Sequence, residues 1–166
     1  MVLRAGGQIF VGPGNGLFEI IACRAPSFTA ERITWRPEQL SASFHGRDLF
    51  APAAAAMARG DAVATEALED NDWRQPDWPD DLGQVIYLDH YGNAMTGLRA
   101  DRLAPGQRIA IAGHELQQSR TFGDVTPGQV FWYENANGLV EIAVNQGSAV
   151  RQMGLDIGGI VELIAD

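Results

Sequence analysis

The feature that most constrains the fold is a series of short apolar segments separated by turns after Gly83. Asn137-Gly138 lies between two of these segments and is a strong signal for a hairpin. Leu139–Val144 alternates only in part, which predicts a strand buried on both faces. The segments predict an antiparallel β-barrel or sandwich and comprise residues 84–89, 108–112, 129–135, 139–144 and 160–164.

The chain before residue 70 shows a different pattern. Residues 8–11 form an apolar segment typical of a buried strand, followed by the turn cluster Gly-Pro-Gly-Asn-Gly at 12–16. Residues 17–24 fit a helix or a strand, and residues 32–35 fit a short strand. Residues 1–7 indicate a strand that continues into residues 8–11 without a turn, as if the chain began within a domain.

The clearest helix is predicted at residues 50–59. Asp48 is expected to cap its N-terminus, Pro52 lies in the first turn, where a missing N–H costs little, and Gly60 ends it. This pattern predicts part of an α/β domain over residues 1–69 and a β-barrel domain over residues 83–166. The predicted fold class is therefore α+β.

Residues 70–82 are predicted to form a linker between these two parts. The segment carries several acidic residues, two prolines and two tryptophans, Trp73 and Trp78. This composition is typical of a solvated connector, and tryptophans in such a segment are expected to pack on a neighbouring domain.

Charge and cysteine content exclude several classes of function. The net charge of -9 and the scattered positions of the 12 basic residues, all of which are arginine, argue against a surface for nucleic acid or anionic lipid. Cys23 cannot form an internal disulfide, and its apolar surroundings predict a buried thiol in a reducing, cytoplasmic location. His45, His90 and His114 lack the spacing of zinc ligands. No segment has the length or composition of a membrane helix or a signal peptide.

Four local strings carry more specific information than composition does. They are SFHGRDLFAPAAA at 43–55, LDHYGNAMT at 88–96, TFGDV at 121–125 and NANGLVEIAVNQGSA at 135–149. In order and spacing they resemble the S-adenosyl-L-methionine hydroxide adenosyltransferases, relatives of the fluorinase and chlorinase. The resemblance extends from Val11 to Leu163, although the family usually has Phe at the position of Tyr91.

The resemblance implies an architecture, an assembly and a substrate. The family has a Rossmann-like α/β domain followed by a β-barrel, and it forms trimers in which each site lies between the α/β domain of one subunit and the barrel of the next. The implied substrate is a small nucleoside, S-adenosyl-L-methionine, and no metal or organic cofactor is implied. The expected reaction is hydrolysis to adenosine and methionine through attack of water on the ribose carbon bonded to sulfur.

The resemblance also implies roles for individual residues. Asp89 and Asn93 are expected to hold the amino-acid end of the substrate, since a carboxylate suits an ammonium group. Where the halogenases have Ser-Arg, the chain has Ala136-Asn137, so contacts to the substrate carboxylate are expected to come partly from backbone. The residues expected to contact the adenosine are the aromatic Tyr91, Phe122 and Tyr133, which would pack on it, and Asn145, at the adenine edge.

His45 is the catalytic residue that the resemblance implies, because a neutral imidazole can accept a proton from water near pH 7. Phe44 and Gly46 on either side are expected to be substrate-binding. The halogenases have Tyr at the position of His45, and the fluorinase has Ser at the position of Gly46. His45-Gly46 therefore favours water over halide as the nucleophile.

Each of these residues also has a purely structural interpretation. Tyr91, Phe122 and Tyr133 fit core or interface aromatics. Asp89 and Asn93 fit turn residues that bond to nearby backbone. His45 fits a structural histidine. The adjacent pair at 47 and 48 fits an ion pair and a helix cap better than an acid and a base.

The chain departs from the family pattern at its beginning. The family's catalytic Asp and Arg precede a Pro-Asp-Asn-Gly turn, in a segment that this chain does not contain, and the turn here has Gly14 in place of Asp. Impaired hydrolysis is therefore expected of this chain. The alternative function is a non-catalytic nucleoside-binding or assembly module, and a weaker alternative is halide-dependent adenosyl transfer.

Overall fold

The computed structural model describes residues 1–165 and divides the chain into two compact units. Unit 1 comprises Met1–Asp80 and unit 2 begins at Asp81. Both consist mainly of antiparallel strands with a few short helices, which confirms the α+β class. The domain boundaries drawn from the sequence stay a prediction, and residue 166 of the predicted barrel domain lies outside the described residues.

Unit 1 contains a four-stranded sheet of order β2-β1-β3-β4. Gly6 and Gly7, with φ of +57° and +77°, reverse the chain between β1 and β2. The expectation that residues 1–7 continue into residues 8–11 without a turn is therefore wrong, since two consecutive glycines supply the positive φ of a tight hairpin. All neighbouring strands are antiparallel, so a Rossmann-like arrangement is not confirmed. The strands are β1 Val2–Ala5, β2 Gln8–Val11, β3 Phe28–Ile33 and β4 Thr65–Ala67.

The two helices of unit 1 are α1, Glu19–Arg24, and α2, Ala51–Ala58. Pro52 lies in the first turn of α2, and Gly60, with φ of +83°, follows its end, as predicted. The prediction that Asp48 caps this helix is wrong. A π-helical turn, Gly46–Phe50, leads directly into α2, and the Ala51 amide bonds to the Gly46 carbonyl. The first amides of α2 therefore already have backbone acceptors and need no side-chain cap.

Residues 70–80 belong to unit 1. They begin with a 3₁₀ turn, Asp70–Asp72, and Trp73 is only 2% exposed within a core cluster that includes Leu3 and Phe18. This part of the predicted linker is thus anchored rather than a solvated connector, whereas Trp78 is half exposed. The prediction of a buried Cys23 is also wrong, because the residue lies on the outer side of the short helix α1, next to the buried Ala22.

Unit 2 contains two antiparallel sheets, of orders β5-β6-β10-β9 and β11-β7-β8. Single bridges, Gln84 with Ile160 and Gln118 with Trp132, connect them, and continuous strand pairing around a closed barrel is not confirmed within the described residues. The hairpin at Asn137-Gly138 is confirmed by the pairing of β9 with β10. The elements are β5 Leu82–Leu88, β6 Ala94–Arg99, β7 Ile109–Ile111, β8 His114–Leu116, β9 Val130–Glu134, β10 Leu139–Val144, α3 Ala149–Met153 and β11 Glu162–Leu163.

Strand β10 is buried on both faces, as its partial alternation predicts. Val140, Ile142 and Val144 belong to the main apolar core of unit 2, with Trp132 of β9. Glu141 and Ala143 point to the opposite face and are buried as well. Other side chains must therefore pack on the second face of this sheet as well. Most of the residues predicted to bind substrate lie on or beside that face.

No helix within residues 1–165 is long and apolar enough to cross a membrane.

Candidate functional site

The residues predicted to form the site fall in both units. Phe44, His45 and Gly46 lie in unit 1, and Asp89, Tyr91, Asn93, Phe122, Tyr133 and Asn145 lie in unit 2. Each half is described by itself.

The half in unit 1 is an exposed segment at the start of the π-helical turn. His45 is exposed and contacts the Phe50 ring edge-on, with the ring centroids 6.5 Å apart. The Arg47 guanidinium lies 4.8 Å from the centroid of the Phe44 ring. A Cβ at Gly46 would meet no atom within 4 Å, so this glycine leaves open space beside His45.

Arg47 and Asp48 form an ion pair, as their adjacency suggests. Arg47 Nε lies 2.5 Å from Asp48 Oδ1, and Arg47 Nη2 lies 3.0 Å from Oδ2. The Ser41 amide also donates to Oδ2 at 3.0 Å. These bonds, above all those from Arg47, lower the pKa of Asp48 to about 2. Asp48 is therefore an ionised, fully engaged carboxylate, and His45 is the remaining candidate for proton transfer in this segment.

The half in unit 2 begins with a turn between β5 and β6. Asp89 Oδ1 accepts from the Asn93 amide and Oδ2 accepts from Asn93 Nδ2, both at 2.8 Å. These bonds confirm the structural interpretation of both residues, because their side chains stabilise the turn. Gly92, with φ of +87°, is packed so tightly that a Cβ would lie 2.0 Å from Ser148 Oγ. The turn is thereby held against the start of α3.

An open cavity of about 540 Å³ lies beside this turn. Tyr91 is 77% exposed and lines it, so a core role for Tyr91 is excluded. Gln146, with φ of +56°, has the left-handed backbone that L-residues seldom adopt. The cavity is lined by Tyr91, Asn93, Phe122, Val144, Gln146, Gly147 and Arg151. Sequence reasoning missed the last four of these residues.

Three aromatic rings cluster next to the cavity. The Phe122 ring lies edge-on to Phe131, with centroids 5.1 Å apart, and 5.5 Å from Tyr133. Phe131 is fully buried and supports the other two rings. Tyr133 Oη donates to Glu141 Oε1 at 2.7 Å. Burial, this bond to Glu141 and the nearby charges of Glu141 and Asp89 all raise the pKa of Tyr133, so its hydroxyl stays protonated.

Asn145 has a structural role in the protein as described. Its Nδ2 donates to the Val125 carbonyl at 2.7 Å, and its own carbonyl accepts from the Gly128 amide at 2.7 Å. These bonds hold the loop before β9, and Asn145 does not line the cavity. Its predicted contact with an adenine edge stays a prediction.

Glu141 is the most informative residue that sequence reasoning missed. It is 7% exposed and contacts Tyr133 and Asn135. The available signal was a single acid within an otherwise apolar strand, since buried charges require specific partners. Among the described residues, no group of three His, Cys, Asp or Glu side chains is placed to hold a metal ion.

Two family models match the chain. The model described as the SAM hydroxide adenosyltransferase N-terminal domain matches residues 1–67, and the model of the C-terminal domain of the same family matches residues 83–162. Together the two matches include all nine residues predicted to form the site.

Curated relatives carry the name (R)-S-adenosyl-L-methionine hydrolase. The relative from Thermus thermophilus is 36% identical over 98% of this chain and 69% of its own length. The relative from Salinispora tropica is 31% identical over 99% of this chain and 69% of its own length.

Solved structures show the same similarity. A conserved hypothetical protein from Thermus thermophilus superposes with a TM-score of 0.68 and 34% identity, covering 98% of this chain and 73% of the other. An uncharacterised conserved protein from Thermotoga maritima gives a TM-score of 0.72 and 27% identity, with coverage of 99% and 70%.

Proposed function

Because the chain belongs to the S-adenosyl-L-methionine hydroxide adenosyltransferase family of enzymes, we propose that it hydrolyses S-adenosyl-L-methionine to adenosine and methionine. The observation that carries the proposal is the open cavity lined by Tyr91, Asn93 and Phe122, at the positions where the family motifs are expected to hold the substrate. The exposed ring of Tyr91 and the half-buried ring of Phe122, beside a polar turn, suit a ligand with a flat base and a charged end.

The reaction consists of one displacement. The oxygen of water forms a bond to the ribose carbon, the bond from that carbon to sulfur breaks, and its electron pair passes to sulfur, which becomes the neutral thioether of methionine. One proton leaves the attacking water. The positively charged sulfur is already a good leaving group, so the protein's task is to align the water behind the carbon and to exclude bulk solvent. No cofactor is needed to balance this step.

We assign the proton to His45, whose imidazole is exposed and has no hydrogen bond within residues 1–165. Phe44 and Gly46 are assigned to the substrate pocket beside it. The inference from Gly46 that water, rather than halide, is the nucleophile rests only on the family resemblance.

In unit 2 we assign Asp89 and Asn93 to the amino-acid end of the substrate. Their mutual hydrogen bonds hold the turn in shape before the substrate arrives. The Tyr91, Phe122 and Tyr133 rings are assigned to the adenosine, and Asn145 to the adenine edge. Asn145 Oδ1 has no hydrogen-bond partner in the described part of the chain and so remains able to accept from an exocyclic amine.

The finer architecture is part of the same proposal. We propose a barrel-like unit 2, a Rossmann-like unit 1, a cytoplasmic location and a trimer with sites between subunits. The exposed apolar side chains of β5, Ile86 and Tyr87, support an assembly because a subunit interface would cover them. Sedimentation of a monomer at micromolar concentration would contradict the trimer.

Product analysis tests the function. The purified chain is incubated with S-adenosyl-L-methionine, and chromatography should detect adenosine and methionine in equal amounts. Formation of 5′-chloro-5′-deoxyadenosine in chloride buffer would support halide transfer instead. Adenosine binding without turnover would support the non-catalytic module.

His45→Ala should reduce the rate about a hundredfold or more, as expected for loss of a positioned proton acceptor. The matched control is His114→Ala, which removes an exposed histidine from β8 that bonds only to the Ala112 carbonyl. Equal rates for His45→Ala and the unmodified chain would exclude His45 from catalysis.

A further inference from the structure

A row of cross-strand neighbours lies on the outer face of the four-stranded sheet in unit 2. Tyr87 pairs with Met95, Met95 with Glu141, and Glu141 with Tyr133. Directly opposite residues of antiparallel strands share a face. Their neighbours Ala94, Ile142 and Trp132 form the corresponding row on the core face. Glu141 is therefore a carboxylate turned away from the core and yet buried.

Only neutral groups hold this carboxylate. Tyr133 Oη donates to Oε1 at 2.7 Å, and Asn135 Nδ2 donates to Oε2 at 2.8 Å. Across residues 1–165, no Lys, Arg or His side chain forms an ion pair with Glu141. A buried carboxylate is costly unless its charge is compensated. This face of the sheet therefore presents a carboxylate that no cation among the described residues neutralises.

A second carboxylate adds to that charge. Asp89 follows Tyr87 by two residues and so continues the same face of β5 at its end. Its negative charge, after burial and Glu141, contributes to the raised pKa of Tyr133. Asp89 therefore places a second acid on the face that carries Tyr133 and Glu141.

Glu141 determines what the Tyr133 hydroxyl can offer a ligand. A carboxylate can only accept, so the hydroxyl proton is committed to Glu141 and the oxygen lone pairs remain as acceptors. Asn135 is fixed in the same way. Its Nδ2 donates to Glu141, while its Oδ1 accepts from the Asn137 and Leu139 amides at 2.9 and 3.1 Å and holds the hairpin turn.

We propose that Glu141 is a positioning residue that makes Tyr133 a hydrogen-bond acceptor and, with Asp89, selects a substrate with a positively charged ammonium end. This inference rests on the proposed function, because it names the group of S-adenosyl-L-methionine that this face recognises. The Tyr133 ring still packs on the nucleoside, while its oxygen faces the cationic end. An adenosine lacking the amino-acid part gains nothing from Glu141.

The test compares two ligands on four proteins. Kd is measured by calorimetry for S-adenosyl-L-methionine and for adenosine with the unmodified chain, Glu141→Gln, Tyr133→Phe and the double variant. The Gln amide would donate to Tyr133 Oη and turn the hydroxyl proton toward the ammonium group. Glu141→Gln should weaken S-adenosyl-L-methionine binding about tenfold or more and change adenosine binding less than about twofold. Glu134→Gln, an exposed carboxylate of the neighbouring strand, is the matched control and should change neither Kd.

The double variant tests whether Glu141 acts through Tyr133. In the Tyr133→Phe background, Glu141→Gln should raise the Kd for S-adenosyl-L-methionine by less than about a further twofold. A full additional loss, or an equal loss for both ligands, would show a merely structural role and overturn the inference. If Glu141→Gln does not fold, Tyr133→Phe alone must weaken the binding of S-adenosyl-L-methionine more than that of adenosine. An unchanged ratio of the two Kd values would then overturn the inference.

The same measurements separate this inference from the proposed function. An unmodified chain that binds neither ligand would contradict the proposed function and the inference with it. An unmodified chain that binds both, with the same ratio of Kd values in Glu141→Gln, would overturn the inference alone.

Discussion

Among the described residues, each unit buries one glutamate, and the two are held in different ways. Glu19 in unit 1 is completely buried and accepts hydrogen bonds from the Arg74 guanidinium. Glu141 in unit 2 is nearly as buried but accepts only from a hydroxyl and an amide. The first carboxylate has a cation of the chain as its partner, whereas the second has none among the described residues.

The environment of Glu19 is complete. Arg74 Nε lies 2.9 Å from Oε2, Arg74 Nη2 lies 2.8 Å from Oε1, and the Gln75 amide donates to Oε2 at 2.8 Å. The guanidinium also lies over the Phe28 and Trp73 rings. The bonds from Arg74, opposed by burial, lower the pKa of Glu19 to about 2. This ion pair joins the segment after residue 69 to α1, which is a structural function.

The difference shows how a buried acid indicates its role. A carboxylate with a cation from its own chain needs nothing further, and breaking the pair leaves an isolated buried charge. A carboxylate with neutral donors is tolerated in the fold but attracts a cation from outside. Substitution of the first kind of carboxylate or its partner is expected to change the free energy of unfolding. Substitution of the second kind is expected to change the affinity for a ligand.

The largest expected effect is on Arg74. Arg74→Met removes the cation and leaves Glu19 buried, so the free energy of unfolding should fall by about 3–5 kcal/mol. Urea denaturation measures the change. The matched control is Arg24→Met, whose partner Asp80 is exposed, and it should cost about 0–1 kcal/mol. A loss below about 1 kcal/mol for Arg74→Met would remove the basis of the comparison, because the cost of an unpaired buried charge would then be absent.

The effect of pH on stability should come next in size. The folded pKa of Glu19, about 2, lies below the ordinary value of about 4.3, so the ion pair contributes its full stability above pH 4.3. That contribution should be lost as the pH falls from about 4.3 toward 2. The unfolding free energies of the unmodified chain and Glu19→Gln should therefore differ by about 2–3 kcal/mol at pH 6 and converge near pH 2.

A constant difference between these two proteins from pH 6 to pH 2 would contradict the assignment. Glu66→Gln, which removes an exposed carboxylate from β4, is the control and should show no such convergence.

The sequence predicted local features well and distant partners poorly. Asn137-Gly138, Pro52 and Gly60 act within a few residues, and each was found where the pattern placed it. The Glu19–Arg74 pair joins residues 55 apart, so nothing near Glu19 revealed why an acid is buried there. The prediction that Asp48 caps α2 was wrong because the carbonyls of a preceding π-helical turn already accept from the first amides of that helix.

The same limit applies to the site. The strings that contain Asp89 and Phe122, and the aromatic Tyr133, could be picked out one by one. The sheet register that places Glu141 opposite Tyr133 is a tertiary property. Gln146 and Arg151 line the cavity because the turn after β10 brings the chain back over it, which no local spacing encodes. A lone acid in an apolar strand was the one available signal for Glu141.

Glu141→Gln should have a much smaller effect on stability than Arg74→Met. The glutamine keeps the volume of the side chain and one oxygen acceptor, and no Arg or His side chain among the described residues loses an ionic partner. The free energy of unfolding without ligand should change by no more than about 1 kcal/mol. Thermal denaturation with and without S-adenosyl-L-methionine extends the measurement, since the ligand should stabilise the unmodified chain more than the variant. A loss above about 3 kcal/mol without ligand would place Glu141 in the same structural class as Glu19.

The smallest expected effect is on the thiol beside Glu19. Cys23 Sγ donates to Glu19 Oε1 at 3.1 Å, and this bond, with some burial and the charge of Glu19, raises the pKa of Cys23 despite the nearby Arg74. The thiolate is the reactive form, so exposed Cys23 should react slowly with iodoacetamide at pH 8. Glu19→Gln removes the charge that opposes ionisation, and the alkylation rate should rise about threefold. Glu38→Gln, an exposed carboxylate elsewhere in unit 1, should leave the rate unchanged. A rate in Glu19→Gln equal to that of the unmodified chain would contradict the assignment of the raised Cys23 pKa to Glu19.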